Sequence, residues 1–408
     1  MQEVTVALVA LGGYGNFYLE RLFGDDRTHG FRFVAGVDPN PVGCRYLDAF
    51  RDQDVPIYPD LESFYASNQA DLVVIAAPIH LHAPFTCTAL SHGSSVLCEK
   101  PIAPTIQDAR RMREVEAASD GFVGIGYQWS FSDAIQELKT DILEGVLGAP
   151  QRLRTKVLWP RPLSYYHRNN WAAHLKAPNG AWVLDSPANN ATAHYLHNCF
   201  YVLGPTRESS ARPVGVQAEL YRANEIENYD TAAIRSTTEE GVEILFYTSH
   251  PVGESVGPDL VYEFEDAVVT FEAWEGPLIA TFEDGRVKDY GNPFEDDAQK
   301  LWDAIDAVRT GAPLACGIDA ASSHTLCING AQESVPAIVD LPEDLVERKP
   351  MDNEDTLVWV KGLLEMLESC YDEGVLPSEL VEAPSWTQAG DMIDLRDYDR
   401  FPSEAESV

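Results

Sequence analysis

The tripeptide Glu99-Lys100-Pro101 closes a short apolar run, Ser95 to Cys98, that reads as a buried strand. A lysine at the carboxyl end of a strand in a ligand-binding sheet faces the ligand. Its ammonium can donate a hydrogen bond to an oxygen being oxidised or reduced and so stabilise a developing alkoxide. Burial there would lower its pKa towards the range of proton exchange. A surface lysine paired with Glu99 is the plain alternative, and the rest of the chain decides between them. The chain opens on Ala10-Leu11-Gly12-Gly13-Tyr14-Gly15, after an apolar run and before a helical pattern. That is the context of the G-x-G-x-x-G dinucleotide fingerprint, with Ala10 in place of the first glycine. Gly12 would let the backbone approach a pyrophosphate, Gly15 would allow close helix–strand packing, and the helix amino end would hold the anion.

Asp38 follows Gly15 by 23 residues and ends a second strand. Its carboxylate suits a ribose 2′-hydroxyl and repels a 2′-phosphate, which favours NAD; Arg45 keeps NADP open. Ala77-Pro78-Ile79-His80-Leu81-His82 ends a strand expected beside the first one. Backbone contact with the cofactor is expected there, with His82 packing the next helix. Asn190 and His194 are four residues apart and share a helix face, with His197 three further on, so this polar row suggests a pocket wall. The histidine pairs lack the further ligands a metal needs, so no metal is expected. The stretch Trp159 to Trp171 offers aromatic faces with amide and hydroxyl donors, as carbohydrate recognition requires.

The elements that must position these groups are legible in the hydrophobic pattern. Strands are expected at Val4–Leu11, Phe31–Asp38, Asp71–Ala77, Ser95–Cys98 and Phe122–Tyr127. Helices are expected near Asn16–Leu22, Leu61–Ser67, Pro84–His92 and Ile106–Ala118, the last with a Thr105/Asp108 cap. Alternating strand and helix with fully apolar strands implies a parallel sheet covered on both faces. After a helix at Asp133–Glu144 the pattern changes to longer strands. These are Gln151–Trp159, Val214–Arg222, Ala232–Thr237, Val242–Ser249, Leu260–Glu265 and Ala267–Ala273, a mostly antiparallel sheet with a tight reversal at Glu265-Asp266. Its helices are expected at Asn189–Leu203, Asp296–Arg309 and Ala320–Ile338. A final helix, Thr356–Tyr371, precedes an acidic tail (375–408) that wraps the surface or stays partly disordered. The fold class is α/β: a dinucleotide-binding domain (1–128), an α/β domain with a large sheet (129–340), and a carboxyl-terminal helix and tail (341–408).

A chain of 408 residues suits two domains. The net charge of −36 argues against nucleic acid as a partner. Eight lysines against 21 arginines and 65 carboxylates resemble proteins of a saline cytoplasm. No apolar run is long enough for a membrane span. The amino terminus enters the first strand without a basic leader, which reads as no signal peptide. Seven scattered cysteines without C-x-x-C spacing fit a reducing cytoplasm rather than a disulfide framework.

Taken together, these residues resemble the Gfo/Idh/MocA oxidoreductase family over roughly 3–335. The resemblance rests on the fingerprint ending at Gly15, Asp38, Pro78 with His82, Glu99-Lys100-Pro101, and the helix ending Tyr201-Val202-Leu203-Gly204. It implies an amino-terminal Rossmann domain and a second domain whose sheet forms a homo-oligomer interface, as dimer or tetramer. It implies Lys100 as the catalytic lysine and His194 as the acid/base residue, with Asn190 in place of an aspartate and His197 as the last polar position. Asparagine hydrogen-bonds a hydroxyl but carries no charge. The implied cofactor site comprises Gly12, Gly13, Tyr14, Gly15, Asp38, Pro78, His82, Glu99, Lys100 and Pro101. The implied substrate site comprises Lys100, Asn190, His194, His197, Tyr127 and Trp171. Ser130 stands where many relatives carry arginine, which suggests a neutral polyol. The expected activity is NAD(P)-dependent hydride transfer to or from a sugar, cyclitol or related polyol. Two alternatives are a tightly bound, recycled NAD serving elimination or glycosidic cleavage, and a catalytically silent cofactor- or sugar-sensing protein.

Overall fold

The computed structural model describes residues 3–403 apart from 25–28, 275, 296 and 353. Six short strands make the first sheet: β1 (Val4–Val9), β2 (Phe31–Val37), β3 (Ile57–Tyr58), β4 (Leu72–Ile75), β5 (Ser95–Cys98) and β6 (Val123–Ile125). They run parallel in the order β3-β2-β1-β4-β5-β6. The two halves wind outward from β1 and β4, so their carboxyl ends leave a crevice between them, the dinucleotide position of this topology. β4 and β5 are buried at every position, as strands covered on both faces must be. The helices are α1 (Gly15–Phe23), α2 (Leu47–Asp52), α3 (Leu61–Tyr65), α4 (His82–Ser91) and α5 (Ile106–Ala117). Thr105 caps α5 as its sequence implies, accepting from the Asp108 amide. The two-residue β3 and the six-residue α2 are too short to leave a readable period.

The second sheet follows α6 (Asp133–Leu143). It contains β7 (Pro150–Leu158), β8 (Pro213–Arg222), β9 (Thr231–Thr238), β10 (Glu243–Ser249), β11 (Val256–Phe264), β12 (Ala267–Glu272), β13 (Ile279–Phe282), β14 (Val287–Asp289) and β15 (Val339–Asp340). Their order is β14-β13-β12-β11-β7-β10-β9-β8-β15, mostly antiparallel. The central pair β7 and β10 is parallel, so Trp159 and His250 lie together at its carboxyl end. β11 and β12 are antiparallel neighbours that reverse at Glu265-Asp266, as expected.

Four more helices follow in the chain: α7 (Leu163–Tyr166), α8 (Ala193–Val202), α9 (Gln299–Thr310) and α10 (Ile318–Ser334). α8 and α10 cover one face of the second sheet, where Leu196 and Phe200 share a core with Ile234, Ile244 and Phe246. α9 instead lies on the first sheet, packing Leu301, Ala304 and Ile305 against Val4, Val6, Leu8, Leu72 and Leu97. The expected start of this helix, Asp296, lies outside the described residues.

Two expectations change. Asn189–Leu203 is not one α-helix: a π turn at Pro187–Ala191 precedes α8, with a break at Thr192. The sequence Asp-Ser-Pro supplies a capping Ser186, which accepts from the Asn189 amide, and a proline at the first helical position. Nor is Thr356–Tyr371 one helix. Thr-Leu-Val-Trp-Val is β-branched and aromatic, and pairs as β17 (Thr356–Val360) with β16 (Val346–Pro350). Gly362, with φ 75°, then opens α11 (Leu363–Glu373). α11 lays Leu363, Met366 and Leu367 on the other face of the second sheet, against Leu245 and Tyr247. The face through which the resemblance implies assembly is therefore covered here by the chain's own extension.

The tail, as far as it is described, is packed. β18 (Ile393–Asp394) pairs with β8, and Leu395, Tyr398 and Phe401 are buried in the core. Phe401 exchanges two hydrogen bonds with Gln107 of α5, and its ring meets Trp182 edge-on at 5.0 Å.

Candidate active site

The glycine turn sits at the carboxyl end of β1. Ala10 and Gly13 have φ of 67° and 52°, and a Cβ on Gly13 would meet nothing within 4 Å. A Cβ on Gly15 would lie 2.1 Å from the Ala10 carbonyl, so only glycine lets α1 approach β1 this closely. Asp38, at the end of β2, accepts from the Leu11 and Asn40 amides at 2.8 Å each, fixing its carboxylate beside the turn. Pro78 precedes a short turn after β4. His82 is fully buried, its ring nitrogens 2.7 Å from the Pro101 carbonyl and 2.8 Å from that of Ala77, so it ties the ends of β4 and β5 together. His80, beside it, buries an Nδ1 with no partner. An open glycine turn, a helix amino end, a fixed carboxylate and an orphaned ring nitrogen at the crevice fit a nicotinamide dinucleotide.

Glu99 and Lys100 point to different partners. Glu99 is buried and accepts from Tyr18 Oη at 2.6 Å and Lys300 Nζ at 2.5 Å. Lys300 comes from α9 and is itself buried; it also donates to Tyr14 Oη at 3.2 Å. Burial pushes the Glu99 carboxyl up, but the Lys300 charge and hydrogen bond outweigh it and hold the group below the usual carboxylate range. Among the described residues Lys100 is left without an ion-pair partner of its own. Its Nζ donates to the Asn190 carbonyl at 2.6 Å and to Asn190 Oδ1 at 3.2 Å, which leaves one of three N–H groups for a ligand. Burial lowers its pKa to about 8; Glu99 raises it and Lys300 lowers it further.

The π turn and α8 form the opposite wall. Lys100, Asn190 and His194 are each only partly buried, among neighbours that are fully buried, so they line an opening. Asn190 Nδ2 donates to Asp185 Oδ1 at 2.7 Å, and the other Asp185 oxygen accepts from Ala173 N at 2.6 Å and Arg168 at 3.3 Å. Asp185, five residues before Asn190, would be off its face on an α-helix, and the π turn brings the two side chains together. His194 has a buried Nδ1 with no partner. Burial, then the Lys100 charge, push its pKa well below the usual histidine value, so the ring is a neutral base.

His197 and Tyr127 do not reach the opening. Both are fully buried, with rings stacked at 3.8 Å behind His194. His197 Nε2 meets Ser130 Oγ at 2.9 Å, and Tyr127 Oη meets His324 Nδ1 at 3.0 Å. His324 Nε2 faces the Ala188 carbonyl at 3.0 Å, so Nδ1 is the acceptor and Tyr127 the donor. These residues support His194 rather than contact a ligand. Ser130, being buried, says nothing about a ligand's charge. Trp171 is partly exposed in the loop after α7, with the Arg168 guanidinium 5.4 Å from its ring centre. Among the described residues no cluster of three metal-ligating side chains occurs.

The sequence missed Lys300 and His324. Each sits inside an amphipathic or apolar helix far downstream, and nothing in local spacing marks them. A lysine at a position facing the core of α9 is the only signal, and it becomes readable only once α9 is known to pack on the first sheet.

Comparisons with known proteins find likenesses to the Rossmann half in sequence and to the fold in structure. A family described as oxidoreductases with an NAD-binding Rossmann fold, Gfo/Idh/MocA, matches residues 4–127. Inositol 2-dehydrogenase of Acidothermus cellulolyticus is 30% identical over 150 residues, which cover 36% of this chain and 43% of that protein. The same enzyme of Burkholderia multivorans is 30% identical over 152 residues, covering 37% and 44%. The matched segment thus spans less than half the length of these relatives. Among solved structures, an Agrobacterium radiobacter oxidoreductase in complex with NAD+, L-tartaric acid and magnesium has a TM-score of 0.67 at 17% identity, covering 82% of this chain and 97% of that one. Levoglucosan dehydrogenase in complex with NADH and levoglucosan has a TM-score of 0.66 at 16% identity, covering 82% and 98%. At such identities the likeness establishes the fold.

Proposed function

We propose that the chain, whose residues 4–127 match the model of the Gfo/Idh/MocA oxidoreductases, is an NAD-dependent dehydrogenase acting on a CH–OH group of a sugar, cyclitol or related polyol. One observation carries the reading: Lys100, at the end of β5, is hydrogen-bonded to Asn190 of the turn that leads into His194, at the crevice of the Rossmann sheet. A bound nicotinamide would supply the hydride acceptor. Gly12, Gly13, Tyr14 and Gly15 would hold its pyrophosphate, and Asp38 would take the ribose hydroxyls and disfavour NADP. The free N–H of Lys100 donates to the reacting oxygen, and positive charge there stabilises an alkoxide. Neutral His194 takes the hydroxyl proton in oxidation and returns it in reduction. Asn190 holds Lys100 in place and is itself oriented by Asp185.

No helix among the described residues is long and apolar enough to cross a membrane. Seven buried free thiols support a reducing cytoplasm as the compartment.

The test is NADH formation at 340 nm over a panel of sugars and polyols, with Lys100→Ala and His194→Ala beside the parent. Removing a transition-state donor costs about 10²–10³ in turnover. Lys100→Ala should lose that much while NAD affinity, measured by calorimetry, is kept. Unchanged turnover in Lys100→Ala removes the proposed role. Product formation without NADH accumulation would instead assign the chain to chemistry that recycles its cofactor.

A further inference from the structure

Beyond Lys100, the substrate side of the opening carries cations that hydride transfer does not use. Arg161 follows Trp159 at the carboxyl end of β7, beside His250 at the end of β10. It has no carboxylate partner among the described residues, although the chain has 65 aspartates and glutamates. Its Nε is buried with no hydrogen-bond partner, and its terminal nitrogens meet only neutral groups, the Pro160 carbonyl at 3.4 Å and the Tyr165 hydroxyl. Arg154 and Arg235, on neighbouring strands, also bury an Nε without a hydrogen-bond partner, but each has a carboxylate counter-ion, Glu263 and Glu379, which Arg161 lacks. In so acidic a chain a guanidinium left without a counter-ion and partly desolvated stands ready for an anion from outside.

The position is close to the catalytic wall. Arg161 stands 5.3 Å from the ring centre of Tyr165, and Arg168 stands 4.0 Å from the same ring. Arg168 is tied through Asp185 and Asn190 to Lys100. The Trp159 ring, 5.7 Å from the Arg161 guanidinium, touches Tyr195 edge-on at 5.6 Å, next to His194. Within this group Lys100, Arg161 and Arg168 face two carboxylates, Asp185 and the buried Asp230, while Glu99 and Lys300 cancel each other. The opening therefore has a local excess of positive charge in a chain of net charge −36. The cofactor's pyrophosphate does not account for it, because the glycine turn belongs to the first sheet and Arg161 to the second. The half-exposed Trp274, stacked on the buried Trp159 at 5.0 Å, adds an aromatic platform of the kind that packs on a sugar ring.

We propose that the substrate is an anionic carbohydrate, a sugar or polyol bearing a carboxylate or a phosphate monoester, whose anion is taken by Arg161 with Arg168 beside it. This rests on the dehydrogenase reading and replaces the neutral polyol suggested by Ser130, which is buried against His197 and never meets a ligand. A planar guanidinium fork matches a carboxylate or phosphate edge through two parallel hydrogen bonds.

The experiment uses the full chain with NAD and three matched arms: a neutral aldose or cyclitol, the corresponding uronate or aldonate, and the corresponding sugar phosphate. Parent, Arg161→Met and Arg161→Lys are compared by kcat/KM and by calorimetric binding of each ligand to the NAD-loaded protein. The proposal predicts that one acidic arm is preferred over the neutral one by at least about tenfold, as expected of a charged hydrogen bond. In Arg161→Met that preference collapses to within about twofold, mainly through KM; in Arg161→Lys part of it returns. Which acidic arm responds separates carboxylate from phosphate. Turnover of neutral ligands with no acidic preference overturns the proposal and leaves the dehydrogenase reading standing. Arg161-dependent binding of an acidic ligand without NADH formation upholds the anion site and overturns the dehydrogenase reading.

Discussion

Replacing Lys300 with methionine tests the arrangement that frees Lys100. The Lys300–Glu99 pair is 2.5 Å long, with side-chain exposures of 0% and 8%, and joins α9 to the end of β5. Lys300→Met leaves a buried carboxylate without its counter-ion, and breaking a buried pair from one side costs about 3–5 kcal/mol. Glu99→Gln leaves a buried ammonium and should cost a similar amount. The double variant removes both charges, and replacing a buried pair with neutral groups is often close to neutral, so it should recover most of the loss. The assay is urea unfolding followed by tryptophan fluorescence, at about 0.1 and 1 M salt; burial shields the pair, so salt should change the coupling little. The pH–rate limb of Lys100 gives a second readout. Lys300 lowers the Lys100 pKa and Glu99 raises it. Lys300→Met should therefore move the limb to higher pH and Glu99→Gln to lower pH. Single variants within about 1 kcal/mol of the parent, or limbs moving together, would refute the reasoning.

For the parent, kcat/KM should fall as pH rises through about 8, because the Lys100 ammonium is present below that pH and lost above it. His194, held well below the ordinary histidine value, should add no limb between pH 6 and 7. A limb there in the parent that vanished in His194→Gln would contradict the depressed pKa. Asp185→Asn removes the carboxylate that orients Asn190 and pairs with Arg168; kcat/KM should drop about 10–100-fold, with the Lys100 limb moving to lower pH because Asp185 raises that pKa. Deleting 376–408 uncovers the apolar ground beneath Leu376, Leu395, Tyr398 and Phe401, and should convert the chain to self-associating species seen by light scattering.

The Rossmann half was legible because its strands are continuous apolar runs and its turn chemistry is local: the glycine turn, the Thr105 cap and Glu99-Lys100-Pro101 all declare themselves within a few residues. Asn190 and His194 read as one helix face from their spacing, whereas the meeting of Lys100 with them was implied only by the family resemblance. What failed was register and distance. The π turn at Pro187–Ala191 adds a residue to the helical count, so Asp185 reaches Asn190 although α-helical spacing excludes it. His197 and Tyr127 are polar positions that turned inward, their hydrogen bonds spent on Ser130 and His324. Helical spacing cannot tell a pocket wall from a satisfied core group. Lys300 depends on α9 crossing to the other sheet, a tertiary choice that no window of sequence records. Thr356–Val360 went to a strand because β-branching outweighed the helical pattern that follows it.

The central claim is that Lys100 and His194 meet on one bound carbohydrate beside the nicotinamide. A crystal structure of the full chain with NAD and a turned-over ligand tests it most directly. The account predicts one hydroxyl within hydrogen-bond reach of both Lys100 Nζ and a His194 ring nitrogen, with its carbon about 3–3.5 Å from the nicotinamide. A ligand seated away from Lys100, or the two side chains serving separate cavities, would contradict it.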